Sequence, residues 1–470
     1  MKLYNTATRT IDEFTPLNPP NVTLYACGFT SYDYAHIGHA RKYTNDDMLK
    51  RALTHFGYDV KHVMNITDVG HLVGDTDEGE DKMSKGARKY GKTVEEISDF
   101  FTEDFLKMLK SLNCILPDPI VKATDHIQDM IDLIKILEKK GYTYVTEEAV
   151  YFDTQKFEKY GALSGQKLED KIQQAREEVH VDPRKKHPAD FSLWFMRVGK
   201  HIDHAMHWDS PWGDGFPGWH IECSAMSMKY LGESIDIHTG GIDHIPVHHE
   251  NEIAQSECAT GKKFVQTWFH SHFLVVDGIK MSKSLENFLT LNDVQERGYS
   301  ALVVRYLMMQ THYRQTMNFT WEALDGAKTA LKRLQEAVFQ LKQQTGRQNL
   351  SEEKRFTVSE LSKKFDAALE NDVQMPQALA VVWETIKSNI PSEDKLDLIL
   401  EWDRVLGLQL DSFEKIEEDI PVHVRELAEK RKTARSEKNF EEADRLRKEI
   451  TYAGFIIDDV GDGYTLSKSS

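Results

Sequence analysis

Two histidines, a thiol and a glycine stand within one short stretch, Tyr25 to Arg41, which reads YACGFTSYDYAHIGHAR. Cys27 follows a short apolar run (Val22, Leu24, Tyr25) that ends like a strand, and His36 and His39 lie one helical turn apart at an expected helix N-terminus. Gly38 between them lets a ligand approach the backbone, and a helix N-terminus favours an anionic phosphate. A thiol leaving a strand beside two histidines one turn apart is a chemical arrangement rather than a packing one. The competing interpretation is a surface turn with a buried cysteine and solvated histidines.

A second group lies far along the chain. In IPVHHENEIAQSE, His248 and Glu252 are four residues apart, hence on one helix face, and can share one metal ion. They need two more donors, and Cys27 and Cys223 (in GWHIECSAMS) are the candidates. Two thiolates, an imidazole and a carboxylate suit zinc. The alternative is a surface His–Glu pair with both cysteines as core filler, and eight histidines between His201 and His249 leave other donors open.

Lysines supply the third element of chemistry. Lys280-Met281-Ser282-Lys283-Ser284 follows a strand and a glycine turn, and its cations and hydroxyls can hold a polyphosphate. A partial copy, Lys82 to Lys85 (KMSK), lies in an acidic linker without a strand before it and reads as coincidence. Gly86 to Thr93 (GARKYGKT) matches the phosphate-loop pattern GxxxxGK[ST] letter for letter. The residues before it, TDEGEDKMSK, cannot form the buried strand that motif needs, and their carboxylates would repel a triphosphate.

These residues require a scaffold. Strand-like and helix-like patterns alternate over the first ~115 residues, as in a parallel α/β unit whose ligand site lies at the carboxyl ends of the strands. The pattern predicts helices over 43–56, 93–112 and 125–140, and strands over 59–65 and 149–153. It resumes from Trp219 with a helix over 221–231, strands over 234–238 and 269–276, and a helix opening at His248. Helical periodicity dominates from Leu291 to about Leu410; Ile420-Pro421 reads as a linker, followed by one basic helix over 424–452 and a small hairpin.

Composition narrows the class. The chain has 470 residues, 40% hydrophobic and 29% charged, as in a globular protein. No apolar run reaches the ~18 residues of a membrane span and the first residues do not read as a signal peptide, so no membrane association is expected. Four scattered cysteines argue against a disulfide scaffold and for a reducing, cytoplasmic setting. A net charge of −17 argues against a protein that coats nucleic acid nonspecifically. Residues 425–448 nevertheless carry nine basic against six acidic side chains, a local +3. A solvated helix face laced with ion pairs would look the same.

Together the motifs HIGH (His36 to His39), KMSKS (Lys280 to Ser284), YACG, GWHIECSAM and HHENEIAQSE resemble the cysteinyl-tRNA synthetases among class I aminoacyl-tRNA synthetases. The resemblance implies an α/β fold: a split Rossmann-type parallel sheet with an inserted domain, then an all-helical bundle and a small α+β C-terminal domain. It implies catalytic halves over 1–115 and 216–310, an inserted connective domain over 116–215, a stem-contact region and bundle over 311–419, and an anticodon-binding domain over 420–470. The implied activity is formation of cysteinyl-adenylate from L-cysteine and ATP with Mg2+, then transfer to the terminal ribose of tRNA(Cys).

By the same resemblance, His36 and His39 bind ATP with Gly38, and Lys280 and Lys283 stabilise the leaving pyrophosphate, aided by Met281, Ser282 and Ser284. Gly28, Thr67, Trp219, His220 and Asp243 surround the amino acid. Cys27, Cys223, His248 and Glu252 hold one zinc ion that takes the substrate thiolate. A monomer is expected. Phe29 stands where the family commonly has proline; NDVQMP (Asn371 to Pro376) and Leu466 also depart from the family pattern, which bears on tRNA contacts rather than adenylation. Two other readings are a ligase that passes cysteine to an amino sugar, which would lack the C-terminal domain, and a nucleotide-binding regulator built on Gly86 to Thr93.

Overall fold

A computed structural model describes residues 1–70, 82–166, 184–281, 287–344, 346–414, 420–460 and 463–468. They divide into two compact units, Met1–Asp411 and Ser412–Ser470. In the first, the hairpin β1 (Lys2–Asn5) and β2 (Thr10–Glu13) precedes β3 (Asn21–Thr30), α1 (Ile37–His55) and β4 (Asp59–Thr67). α2 (Lys82–Tyr90), α3 (Val94–Ser111), β5 (Ile120–Lys122) and α4 (Ile127–Lys139) follow. Next come four short strands, β6 (Thr143–Val145), β7 (Ala149–Phe152), β8 (Phe191–Met196) and β9 (Gly215–Pro217), paired antiparallel in that order. The chain then returns through α5 (Trp219–Leu231), β10 (Ile235–Gly241), α6 (His248–Thr260) and β11 (Val265–Ser271) to the central sheet.

That sheet is all parallel, in the order β11-β10-β3-β4-β5. Its strands read as apolar runs because both faces are covered: Val22, Leu24, Tyr25 and Ala26 of β3 are fully buried. From β3 the chain winds through α1 to β4 on one side, and from β10 through α6 to β11 on the other. The two windings diverge between β3 and β10, which opens a crevice at the carboxyl ends of those strands. Cys27-Gly28 and Gly240-Gly241 end there. Register between β3 and β4 breaks between Ala26 and Phe29, a bulge that takes Cys27 and Gly28 out of regular pairing. Gly28 is obligatory at that point, because a Cβ would lie 1.4 Å from the Asn65 carbonyl oxygen.

The remaining elements are β12 (Leu274–Val276), β13 (Ile279–Lys280), α7 (Leu291–Glu296), α8 (Ala301–Met309), β14 (Met317–Phe319) and four helices, α9 (Trp321–Lys342), α10 (Glu352–Glu370), α11 (Met375–Lys387) and α12 (Ser392–Leu406). The helical core centres on the Phe365–Trp402 stack, with ring centroids 4.6 Å apart. Two local expectations change here. The strand expected over 269–276 is two strands, because His272 N–H bonds to the Tyr313 carbonyl instead of continuing the sheet. The helical run after Leu291 is also interrupted by β14, which pairs with β12.

The second unit holds α13 (Val422–Ser436), α14 (Phe440–Tyr452), β15 (Phe455–Val460) and β16 (Gly463–Lys468) around Val424, Ala428, Ile450, Phe455 and Ile457. The single basic helix expected over 424–452 is thus two. Lys438 adopts a left-handed φ of 62° and the Asn439 side chain caps α14 by accepting from Glu442 N–H. Arg431 forms a two-pronged pair with Asp459, at 2.7 and 3.0 Å.

Candidate active site

The HIGH residues build their own helix cap. His36 is the N-cap of α1, and its Nδ1 accepts from Gly38 N–H at 3.0 Å and His39 N–H at 3.2 Å. His39 Nδ1 in turn accepts from His36 N–H at 3.1 Å. This is the reciprocal capping box with histidines in place of the usual hydroxyl and carboxylate. The two rings stack at 3.8 Å. Burial and then the neighbouring His36 hold the His39 pKa well below its ordinary value, so that ring is neutral with its proton on Nε2, free of the cap. A Cβ on Gly38 would lie 2.8 Å from the His36 ring and 3.1 Å from Met281 Cε, so glycine keeps the two signature segments in touch.

The cap faces a cavity of about 800 Å³ lined by Cys27, Gly28, His36, Gly38, His39, Trp219, Asp243, Lys280 and Met281 among others. Ser282, Lys283 and Ser284 lie outside the described residues. Thr67, His220, Cys223, His248 and Glu252 are not in the lining; all are buried close behind it. Thr67 Oγ1 donates to Glu222 at 3.0 Å and accepts from Asn65 Nδ2 at 3.0 Å, while Asn65 Oδ1 accepts from Gly28 N–H at 2.8 Å. His220 Nδ1 lies 2.9 Å from His248 Nδ1. Lys85, whose KMSK segment reads as coincidence in the sequence, also lines the cavity. It sits on α2, which docks closely on the Tyr32 backbone at Gly86, where a Cβ would come within 2.8 Å of the Tyr32 carbonyl. The phosphate-loop match itself is absorbed by helices: α2 runs to Tyr90, and Thr93 caps α3 in a box with Glu96.

Four potential metal donors converge where Cys27 meets α5 and α6. Cys27, Cys223, His248 and Glu252 offer ligand atoms all within 4.8 Å of one another. Cys27 Sγ lies 3.6 Å from Cys223 Sγ and 3.7 Å from Glu252 Oε1, and His248 Nε2 lies 3.0 Å from Glu252 Oε1. Two ~2.3 Å zinc–sulfur bonds at a tetrahedral angle subtend a ~3.8 Å edge, so the spacing fits such an ion. Cys27, His238, His249 and Glu252 form a second group with the same closeness. Sequence spacing singles out neither His238 nor His249; the doublet His248-His249 is the available signal.

The class I (C) tRNA synthetase catalytic domain family matches residues 13–329. A cysteine–tRNA ligase of Treponema denticola is 44% identical over 492 aligned residues, covering 100% of this chain and 99% of that protein. Another, cysteine–tRNA ligase 1 of Burkholderia lata, is 43% identical and covers 99% of this chain and 96% of its own. The chain belongs to the cysteine–tRNA ligases. A solved Mycobacterium tuberculosis methionyl-tRNA synthetase in complex with methionyl-adenylate shares the fold at 15% identity, with a TM-score of 0.57 over 82% of this chain and 89% of that one.

In this ligase the donor cluster is electrostatically organised. Burial opposes the charge of Glu252, but His238 (Oε2 to Nε2, 2.8 Å) and His248 hold its pKa well below the carboxylate range. Burial likewise raises both thiols. For Cys223, contacts with Cys27 and His248 outweigh it and bring the pKa down to about 7, whereas Cys27 stays well above its ordinary value. One thiolate is therefore accessible near neutral pH, and His248, though buried, is held up to about 10 by Cys223 and Glu252. Around them His249 is driven neutral by burial and the neighbouring histidines, and its Nδ1 lies 2.7 Å from His270 Nε2. Such outer partners orient ligating side chains. Among the described residues no helix is long and apolar enough to cross a membrane.

Proposed function

We propose that this cysteine–tRNA ligase selects its amino acid with a zinc ion held by Cys27, Cys223, His248 and Glu252. The observation that carries the reading is the convergence of those four buried donors at zinc-like spacing. The zinc, when bound, supplies a thiophilic Lewis acid that favours a substrate thiolate over the nearly isosteric hydroxyl of serine, a distinction shape alone makes weakly. The second donor group is less suited. It replaces a sulfur by a second imidazole, and His238 Nε2 already bonds the far carboxylate oxygen of Glu252, the position of a supporting partner.

The remaining roles are those that the family resemblance implies. Asp243 offers a carboxylate to the substrate ammonium; Gly28, Thr67, Trp219 and His220 shape the rest of the amino-acid pocket. His36 and His39 direct Nε2–H groups at the ATP α-phosphate, and Gly38 lets the phosphate reach the helix N-terminus. The cysteine carboxylate attacks the α-phosphorus, and pyrophosphate departs with its charge offset by Lys280 and Lys283, aided by Met281, Ser282 and Ser284; Mg2+ accompanying ATP would supply further positive charge. The terminal ribose hydroxyl of tRNA(Cys) then attacks the acyl carbon and AMP leaves. The helix pair α13–α14, with its local +3, serves the anticodon end of the tRNA. The chain is taken to act as a monomer, and a reducing cytoplasm fits two thiols 3.6 Å apart that must stay unoxidised to hold metal. Metal analysis paired with tRNA aminoacylation tests the whole: one zinc per chain and cysteine-specific charging are expected, and a metal-free active enzyme overturns the zinc assignment.

A further inference from the structure

The roles above leave Arg41 without a task, yet it is among the most costly side chains in the fold. It follows His39 by two residues on α1 and is 1% exposed. Its Nη1 donates to the carbonyls of His272 (2.9 Å) and Phe273 (2.6 Å), and its Nη2 to those of His312 (3.2 Å) and Gln315 (2.6 Å). Among the described residues it forms no ion pair with a carboxylate, and Nε has no hydrogen-bond partner. Burial alone lowers its pKa to about 10. A buried cation paired only with carbonyls is expensive, so what those carbonyls position matters.

Two of them belong to the link between β11 and β12. β12 pairs with β13, which ends at Lys280. The Phe273 ring lies beside that end, with Lys280 Nζ 5.3 Å from its centroid. Phe273 and Lys280 line the same cavity as His36 and His39. A continuous path of contacts thus runs from the HIGH helix through Arg41 to the Phe273 backbone, then from the Phe273 ring to the lysine ammonium.

We propose that Arg41 and Phe273 are positioning residues for adenylation. Arg41 pins the 272–273 link to the helix that carries His36 and His39, and Phe273 seats Lys280 over its ring face. Groups that act at opposite ends of the ATP triphosphate are thereby held at a set separation before ATP arrives. The inference rests on the assignment of Lys280 to the departing pyrophosphate.

Cysteine-dependent ATP–pyrophosphate exchange by the full chain tests it, using Phe273→Leu, Arg41→Lys, Lys280→Ala and the doubles of each with Lys280→Ala. Phe273→Leu should lower kcat about threefold, the worth of an exposed cation–π contact, with the cysteine KM unchanged. Arg41→Lys should lower it about tenfold. Both effects should vanish in the Lys280→Ala background, because the group being positioned is gone. A wild-type kcat for Phe273→Leu, or the same factor in both backgrounds, overturns the proposal, since general structural damage is additive with loss of Lys280. If Arg41→Lys does not fold, which thermal unfolding reveals, the half-exposed Phe273 decides alone. If Lys280→Ala itself exchanges at the normal rate, the pyrophosphate role falls and this inference with it; a slow Lys280→Ala with additive partners removes only the inference.

Discussion

Replacing Cys223 by serine keeps the shape of the side chain but removes the thiol that Cys27 and His248 bring to about 7 against its burial. The four-donor site then loses the more readily ionised of its two thiols. Zinc content should fall below half-occupancy and the cysteine KM should rise about tenfold or more, with the ATP KM little changed. His249→Ala, by contrast, should keep the metal; loss of zinc there with retention in Cys223→Ser would favour the second donor group. A separate test concerns the helix cap. In Gly38→Ala the new methyl meets His36 at 2.8 Å and Met281 at 3.1 Å, so the stacked histidines must shift. Exchange should slow by about 100-fold, the scale of a ~1 Å misplacement, while zinc content stays normal.

Among elements, the parallel sheet shows how divergent winding makes a site. β3 and β10 leave their glycines at one edge because α1 and α6 carry the chain to opposite sides. Cys27 and Asp243 thereby line one cavity at that crevice. The small C-terminal unit adds an ion pair to a small apolar core. Arg431, then Arg435, lowers the Asp459 carboxylate to about 2. A depressed carboxylate contributes stability that is complete above its unfolded value of ~3.9 and is lost as pH falls through about 2. Asp459→Asn should lower the thermal midpoint of this unit at pH 7 and flatten its acid limb below about pH 4. Equal acid limbs in both proteins would show that the pair does not hold the unit.

For the whole molecule, the residues proposed for adenylation lie within Met1–Asp411 and the basic helix pair within Ser412–Ser470. A chain ending at Asp411 should retain cysteine-dependent pyrophosphate exchange within about threefold, yet charge tRNA at least about tenfold less efficiently, read as kcat/KM for tRNA. Undiminished charging would remove the C-terminal unit from tRNA recognition. The same truncation separates tRNA from an amino sugar as acceptor, because only the former needs a distant contact.

Much of this was legible in the order of residues. HIGH, KMSKS and the cysteine blocks carried the resemblance to the family to which the chain belongs, and apolar runs between them announced a buried parallel sheet. Local periodicity also located β4, α3 and α6 to within a few residues; for α1 it gave 43–56, while the histidine pair marked the helix N-terminus that the structure has at His36. What remained hidden depends on contacts across hundreds of residues. Spacing along the chain left the donor set open among many histidines, and folding brought His238 and His249 to the same cluster as Cys27 and Glu252. A local cap at Asn439 makes the second helix of the basic tail, whereas the break between β11 and β12 and the burial of Arg41 are likewise tertiary decisions. Each is made where a carbonyl or a distant partner satisfies a backbone group that the local pattern would have assigned to regular structure.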